Sequence, residues 1–561
     1  MILSNKKGIQ QIVTVLSALG LKEVILCPGS RDAPLMISFN RHPDIHCTSI
    51  RDERSAAFFA LGKVIELAEP VAVVCSSGSA ALNFSPAISE AYYQRVPLLV
   101  LTADRPKEWT DQGDGQIINQ TNIYQNYIRK SYDLKGEVCS QTDEWYNNRC
   151  LCEGYGWATC LDRGPVHFNV PLCEPLYETE DVEEVNPKVF KIEQPATCLS
   201  AKNLNQLSQD FLEKKRVMIL VGQYPKDKKL QEELGDIAQF KNVTVLTEST
   251  SNIHHASFIE NIDRCITHLN EQEIEELKPD LLISMGGAIV SKRIKKLLRV
   301  YKPIIHWNIH PFESTMDTYQ SLTNAIPMEP ACFLTQLKEH IHEISSDYNE
   351  KWQKIKQRKI NLHQSFVQKC GYSDFKVFSL IYQNISTQIN LHISNSSAIR
   401  YVQLFDNQNV AYTYSNRGTS GIDGCTSTAM GAASVSPQKE FLLITGDVAF
   451  HYDINALWNE ENIENLRIVV LNNSGGNIFR IIPGPGKVEE LEQYFETSMK
   501  TETKEIAAHY HWNYFSAHDE ASLNEALKKF FSEEGKRSIL EVFTDAKTNP
   551  RILKEYWEFL Q

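Results

Sequence analysis

Short runs rich in Val, Ile and Leu alternate with longer helical patterns along this whole chain, and no other feature restricts its fold as strongly. The runs are "KEVILCPGS", "VAVVCSSGS", "VPLLVLTADRP" and "GPVHFNVP" in the first third, and "RVMILVGQ", "VTVLTEST", "DLLISMGG" and "PIIHWNIHP" in the middle. The last third has "NLHISNS", "NVAYTYSN", "EFLLITGD", "LRIVVLNNSGG" and "RSILEVFTD". Apolar runs that do not alternate with polar residues are strands buried on both faces, as in parallel sheets covered by helices. A chain of 561 residues is too long for one core, and the three groups of strands predict three α/β domains. The acidic "ETEDVEEVNPKVFKIEQPA" reads as a first linker, and the Lys-rich stretch from Ser345 to Gln368 as a helical second connection. The domains are therefore expected at 1–185, 186–350 and 351–561. Two strand, turn, helix, strand units, starting at Val71 and at Leu442, are nearly the same length. Any two such units share that property, so related outer domains around one ligand remain one of two readings.

Composition excludes several classes of function. The formal net charge of −13 gives no basic footprint, so nucleic acid and anionic membrane surfaces are poor partners. A small anionic ligand must find a local cluster of Arg and Lys. The 13 cysteines contain no CxxC pair, as expected of reduced, buried thiols in a cytoplasmic protein. The opening "MILSNKKGIQQIVTVLSALG" reads as an amphipathic helix and not as a signal peptide. No apolar run approaches the roughly 20 residues that span a bilayer. HExxH, the phosphate-binding GxxxxGK[ST] and a strand-to-helix GxGxxG are all absent. The adjacent His254 and His255 read as structural or incidental.

In parallel α/β sheets ligands sit beyond the carboxyl ends of the strands, so the residues just after them carry the chemistry. "FLLIT" is followed by Gly446 and Asp447, and "RIVVL" by Asn472, Asn473, Ser474, Gly475 and Gly476. An acid, an amide and an accessible glycine carbonyl are hard oxygen ligands of the kind magnesium takes while keeping positions for water and phosphate. The plain alternative is a helix cap and an ordinary Asn-Gly turn. "SIRDERSAAFFALG" places Glu53 where charge gives way to a packed apolar helix, which on its own reads as a capping acid at a helix start.

The Gly-Asp and Asn-Asn pair at this spacing resembles the cofactor motif of thiamin-diphosphate enzymes. That resemblance implies two similar outer α/β domains around a Rossmann-like middle domain, with Mg2+ or Mn2+ bridging the cofactor. It makes Glu53 the acid that hydrogen-bonds the aminopyrimidine and moves its proton. It assigns Gly446, Asp447, Asn473, Ser396 and Ile422 to the cofactor, and Asp447, Asn473 and the Gly475 carbonyl to the metal. A loop about one residue short leaves Asn472 as the rival to Asn473.

"CPGSRDAPL", "DERSAAFFALG", "TADRPKEWTDQGDGQ", "SNRGTSGIDG" and "NNSGGNIF" together resemble the menaquinone-pathway synthases that make 2-succinyl-5-enolpyruvyl-6-hydroxy-3-cyclohexene-1-carboxylate. The implied reaction is decarboxylation of 2-oxoglutarate followed by conjugate addition of the carbanion equivalent to isochorismate. Both substrates are dicarboxylates, which suits Arg recognition. The resemblance assigns Arg31, Arg105, Gln116, Lys292, Arg293, Ser396, Arg400 and Arg417 to the substrates, with Ile478 and Phe479 lining their pocket. It further implies a homodimer or dimer of dimers whose sites combine Glu53 of one subunit with Asp447 of the other. An acetohydroxyacid synthase-like carboligase, a simple 2-oxoacid decarboxylase and a non-catalytic subunit of the same fold are the alternatives.

Overall fold

The structure is a computed structural model that describes every residue except 184–186, 195–196, 313–314, 407, 460–462, 498–501 and 533–535. The boundary expected at 185/186 lies outside the described residues. Strand β1 (Ile2–Ser4) comes first, and the first large sheet uses β2 (Glu23–Leu26), β3 (His46–Ser49), β4 (Val71–Cys75), β5 (Leu98–Asp104), β6 (Lys130–Asp133) and β7 (Val166–Pro171). After β8 (Thr179–Asp181), the middle sheet uses β9 (Val217–Val221), β10 (Val243–Thr247), β11 (Leu281–Met285), β12 (Ile305–His310) and β13 (Asn324–Pro327). The last sheet uses β14 (Ile389–Ile393), β15 (Val410–Tyr414), β16 (Glu440–Gly446), β17 (Leu466–Asn472), β18 (Asn513–Ala517) and β19 (Ser538–Phe543).

The first sheet runs β3-β2-β4-β5-β7-β6 and the last runs β15-β14-β16-β17-β19-β18. Renumbered within each sheet, both read 2-1-3-4-6-5. Length similarity alone left the kinship of the outer domains open; identical strand order supplies it. The middle sheet, β10-β9-β11-β12-β13, is a five-stranded parallel sheet of different order. The fold is therefore three parallel-sheet α/β regions with two alike. Central strands such as β4, β5, β9 and β11 are buried along their full length, which is why they read as unbroken apolar runs.

Four strands of these sheets escaped the sequence reading, and all four lie on sheet edges: β3 (HCTS), β6 (KSYD), β13 (NAIP) and β18 (NYFSA). Edge strands tend to carry polar residues against further pairing, and these four have too few apolar residues to make a run, unlike the edge strands β10 and β15. The amino-terminal stretch also differs from expectation. Its helix starts only at Lys7 and runs to Leu19, because Ile2–Ser4 pairs antiparallel with Thr179–Asp181 inside the stretch read as a linker. A helix does occupy the second connection, Tyr348–Lys369. All 13 cysteines are free, as expected, but Cys139, Cys173 and Cys198 are exposed. Among the described residues no helix is long and apolar enough to cross a membrane.

The chain packs as two compact units. The first holds Met1–Gln194, Asn416–Glu440 and Ala449–Leu466; the second holds Pro195–Ser415, Phe441–Val448 and Arg467–Gln561. Within the first unit the helix Glu53–Leu67, buried from Ser55 to Val64, crosses the helix Cys425–Ser434. Glycines allow that crossing to be close. A Cβ on Gly62 would lie 2.0 Å from the Thr428 carbonyl oxygen, and one on Gly431 would lie 2.0 Å from that of Phe59.

Candidate active site

Glu53 is the first residue of its helix, half-buried, with Asp52 as the cap: the Asp52 carboxylate accepts from Ser55 N at 3.0 Å. Three further contacts fix this helix end within the first unit. Asn455 Nδ2 donates to Asp52 at 2.6 Å, Arg54 donates to the Tyr452 carbonyl at 2.6 Å, and the Ser55 and Ser427 hydroxyls lie 2.8 Å apart. Fully buried Asp453 in turn accepts from Ser427 N and Oγ at 2.7 and 2.8 Å. Among the described residues the Glu53 carboxylate receives only a long bond, 3.4 Å, from Asn83 Nδ2. Its position is thus set by the backbone under it, which leaves the carboxylate able to bond elsewhere.

The other assigned residues of this unit also follow strand ends. Arg31, after β2, is buried and turned inward, donating to the Leu172 carbonyl at 3.0 Å and to Glu174 at 3.2 Å. Arg105 and Gln116 share the loop after β5. Arg105 pairs with Asp114 at 2.7 Å, and Gln116, at a left-handed φ of +59°, exchanges bonds with Ser77 through its side-chain amide and its backbone carbonyl. Arg417 and Ile422 lie in the loop before the helix Cys425–Ser434, both half-buried.

A second carboxylate, Asp32, lies in the turn after β2. It is fully buried, and among the described residues neither oxygen accepts a well-formed hydrogen bond. Burial is the main cause that raises its pKa to about 7; the Asp32 and Gly29 backbone N–H groups oppose the rise, and the Glu53 charge adds to it.

In the second unit Asp447 follows β16 and is 3% exposed. Its Oδ1 accepts from Val448 N and its Oδ2 from Gly475 N, both at 2.8 Å, so the loops after β16 and β17 meet at this carboxylate. Gly475 adopts φ +114° directly after Ser474 at +66°, a turn that favours glycine. The two asparagines have different partners. Asn472 gives its amide to buried Glu541 at 2.8 Å while its oxygen accepts from Ser474 N at 3.2 Å. Asn473 gives its amide to buried Asp374 at 3.0 Å. Both side-chain ends of Asn472 are thus occupied, and the geometry favours Asn473 as an oxygen donor.

The remaining assigned residues of this unit form two groups. Ser396, at φ +71°, accepts through its carbonyl from Arg400. Lys292 and Arg293 open the helix Lys292–Val300 after β11, exposed, with Arg293 4.3 Å above the Trp557 ring. Burial raises the Asp263 pKa, opposed by the hydrogen bond from the Ser291 hydroxyl and by the charges of Arg293, Arg400 and Lys295. Ile478 and Phe479 start the short helix Ile478–Ile481, with the Phe479 ring 5.3 Å from that of Phe495.

Two residues at these seats were not foreseen. Asp374, the anchor of Asn473, sits in "GYSDFK", which signals only a helix start. Glu90, fully buried, holds the Arg417 loop; its sole signal was a lone acid inside "AISEAYYQ".

The Asp447 seat fits a diphosphate held through a cation. Burial is the main cause that raises the Asp447 pKa to about 6, with Asp374 and Glu541 adding to the rise; a divalent cation relieves that concentration of negative charge. An ideal Cβ on Gly446 would meet nothing within 4 Å, so the backbone beside Asp447 opens on free space. Among the described residues no three His, Cys, Asp or Glu side chains gather as a metal cage. The donors on offer are one carboxylate, one amide oxygen and one carbonyl.

Residues 6–123 match the family described as thiamine pyrophosphate enzyme, N-terminal TPP binding domain, and residues 395–542 match its C-terminal TPP binding domain. Three similar proteins carry the name 2-succinyl-5-enolpyruvyl-6-hydroxy-3-cyclohexene-1-carboxylate synthase. The Flavobacterium johnsoniae protein is 42% identical over 553 residues, 98% of each chain. That of Flavobacterium psychrophilum is 43% identical over 551 residues, again 98% of each. That of Porphyromonas gingivalis is 39% identical over 566 aligned positions, 99% of this chain and 98% of the other. Similarity at this level along the whole length, joined to a paired-domain cofactor fold, means that the chain belongs to the 2-succinyl-5-enolpyruvyl-6-hydroxy-3-cyclohexene-1-carboxylate synthase family of thiamine pyrophosphate enzymes.

Proposed function

We propose that this enzyme decarboxylates 2-oxoglutarate and adds the remaining four-carbon unit to isochorismate, releasing CO2, in menaquinone biosynthesis. The observation that carries the reading is the 42% identity across 98% of both chains to a synthase of that name. When bound, thiamin diphosphate supplies the electron sink for decarboxylation, anchored by Mg2+ or Mn2+. Asp447, Asn473 and the Gly475 carbonyl would hold the metal, while Gly446, Ser396 and Ile422 would shape the cofactor seat. Glu53 would hold and return a proton at the aminopyrimidine nitrogen, which a carboxyl held by its backbone and only weakly bonded can do.

Arg31, Arg105, Gln116, Lys292, Arg293, Ser396, Arg400 and Arg417 orient the substrate carboxylates, and Ile478 and Phe479 keep water from the reacting carbons. Residues 1–185 serve the aminopyrimidine, 186–350 form a scaffold that lends Lys292 and Arg293, and 351–561 serve the diphosphate and metal. The enzyme works in the cytoplasm, in line with its free thiols, as a homodimer or dimer of dimers. Product analysis with 2-oxoglutarate, with and without isochorismate, tests the reading. A cyclohexene adduct formed only when both are present is the expected result; CO2 release unaffected by isochorismate, with no adduct, rejects it.

A further inference from the structure

We propose that Glu90 is a positioning residue that presents Arg417 to a substrate carboxylate by clamping the Arg417 loop from the neighbouring helix. The inference rests on the reading of Arg417 as a substrate residue. Glu90 lies in the helix Ser85–Gln94 and is 1% exposed. Its carboxylate accepts from Gly418 N at 2.7 Å through one oxygen, and from Thr419 N at 2.7 Å and Thr419 Oγ1 at 2.6 Å through the other. Gln94 Nε2 donates to the first oxygen as well. None of these four donors is charged, so the carboxylate is held by directed bonds, and such bonds to an ionised acceptor are the stronger kind.

Contact between loop and helix is closer than hydrogen bonding alone requires. A Cβ on Gly418 would lie 2.7 Å from the Glu90 carbonyl oxygen and 3.0 Å from its Oε1. On the other side of Arg417, Asn416 Nδ2 reaches the Asp423 carbonyl and Thr428 Oγ1, both at 3.3 Å. Arg417 therefore stands between two tethers, residue 416 on one side and residues 418 and 419 on the other. A guanidinium binds a carboxylate well only when its planar fork is correctly aimed, and an aim set by the backbone loses less freedom on binding.

Glutamine at position 90 keeps the shape but places an amide NH2 against a backbone N–H, so at least one tether is lost. The full-length enzyme with thiamin diphosphate and magnesium is assayed as wild type, Glu90→Gln, Arg417→Ala and the double variant, with KM and kcat measured for each substrate. Glu90→Gln should raise by about tenfold the KM of the same substrate that Arg417→Ala affects, with kcat within about threefold. In the double variant Glu90→Gln should add little, because its effect passes through Arg417. Fully multiplicative losses, or an unchanged KM in Glu90→Gln, overturn the clamp alone. An unchanged KM for both substrates in Arg417→Ala overturns the reading of Arg417 and the clamp with it. If Glu90→Gln does not fold, Gly418→Ala, which pushes the loop off the helix from its own side, must give the same KM shift.

Discussion

Glu53 owes its position to its neighbours in sequence: Asp52 caps the helix, Arg54 and Ser55 tie it down, and the Glu53 carboxylate has one long bond of its own. Glu53→Gln should therefore fold and bind cofactor normally while losing most turnover, since the amide cannot carry the proton; turnover near wild type would remove Glu53 from the chemistry. Asp447→Ala should act on binding instead. Titration of the apoprotein with thiamin diphosphate should show magnesium-strengthened affinity in wild type and almost none of that gain in the variant, and equal gains would refute the metal assignment. Asp32 gives a pH signature. Its carboxyl is raised from 3.8 to about 7, so the folded state holds the proton more tightly than the unfolded chain. Stability is then lost as pH rises from about 4 to about 7, by at most on the order of 4 kcal/mol. Melting curves at pH 5 and pH 8 should show the Tm of wild type falling relative to Asp32→Asn, and a constant gap between the two would show that Asp32 stays ionised. Glu53 and Asp447, the residues proposed for the chemistry, stand out in the sequence because charge or glycine interrupts an apolar run there. Asp374 and Glu90 do not, because their partners lie 99 and 328 residues away.

At the scale of elements, the crossing of Glu53–Leu67 with Cys425–Ser434 shows how small residues carry the site. Ser55, Gly62, Ser427 and Gly431 let two backbones meet, so the helix that starts at Glu53 rests on main chain and not on adaptable side chains. Gly62→Ala should destabilise the protein by about 1–3 kcal/mol, as overpacking does, read as a lower denaturation midpoint. An unchanged midpoint would mean that this crossing is loose. Most strands that sequence reading found are apolar along their length; β3, β6, β13 and β18 lie on sheet edges and were hidden by their polar residues, while the edge strands β10 (VTVLT) and β15 (VAYTY) kept enough apolar residues to be read.

For the whole molecule, the repeat of one strand order in the outer sheets was only half legible, since spacing hinted at it while topology needs pairing partners that sequence does not show. Subunit mixing tests how a complete site is made. Glu53→Gln and Asp447→Ala chains, dissociated and reassociated together, give about half mixed dimers, and a site shared between subunits leaves one of two sites intact in each. Recovery should approach roughly a quarter of wild-type sites; mixed dimers confirmed by mass yet inactive would place both residues of each site on one chain. The matching sheets have a further consequence. At the fourth strand the first sheet is followed by Arg105 and the last by Asn473; at the third, one is followed by the serine and glycine turn that leads to Asn83 and the other by Asp447. One framework thus carries different chemistry at the same addresses. Specialisation is written in a few loop residues and not in the sheets, so a change of ligand in this lineage asks for new strand ends over an old core.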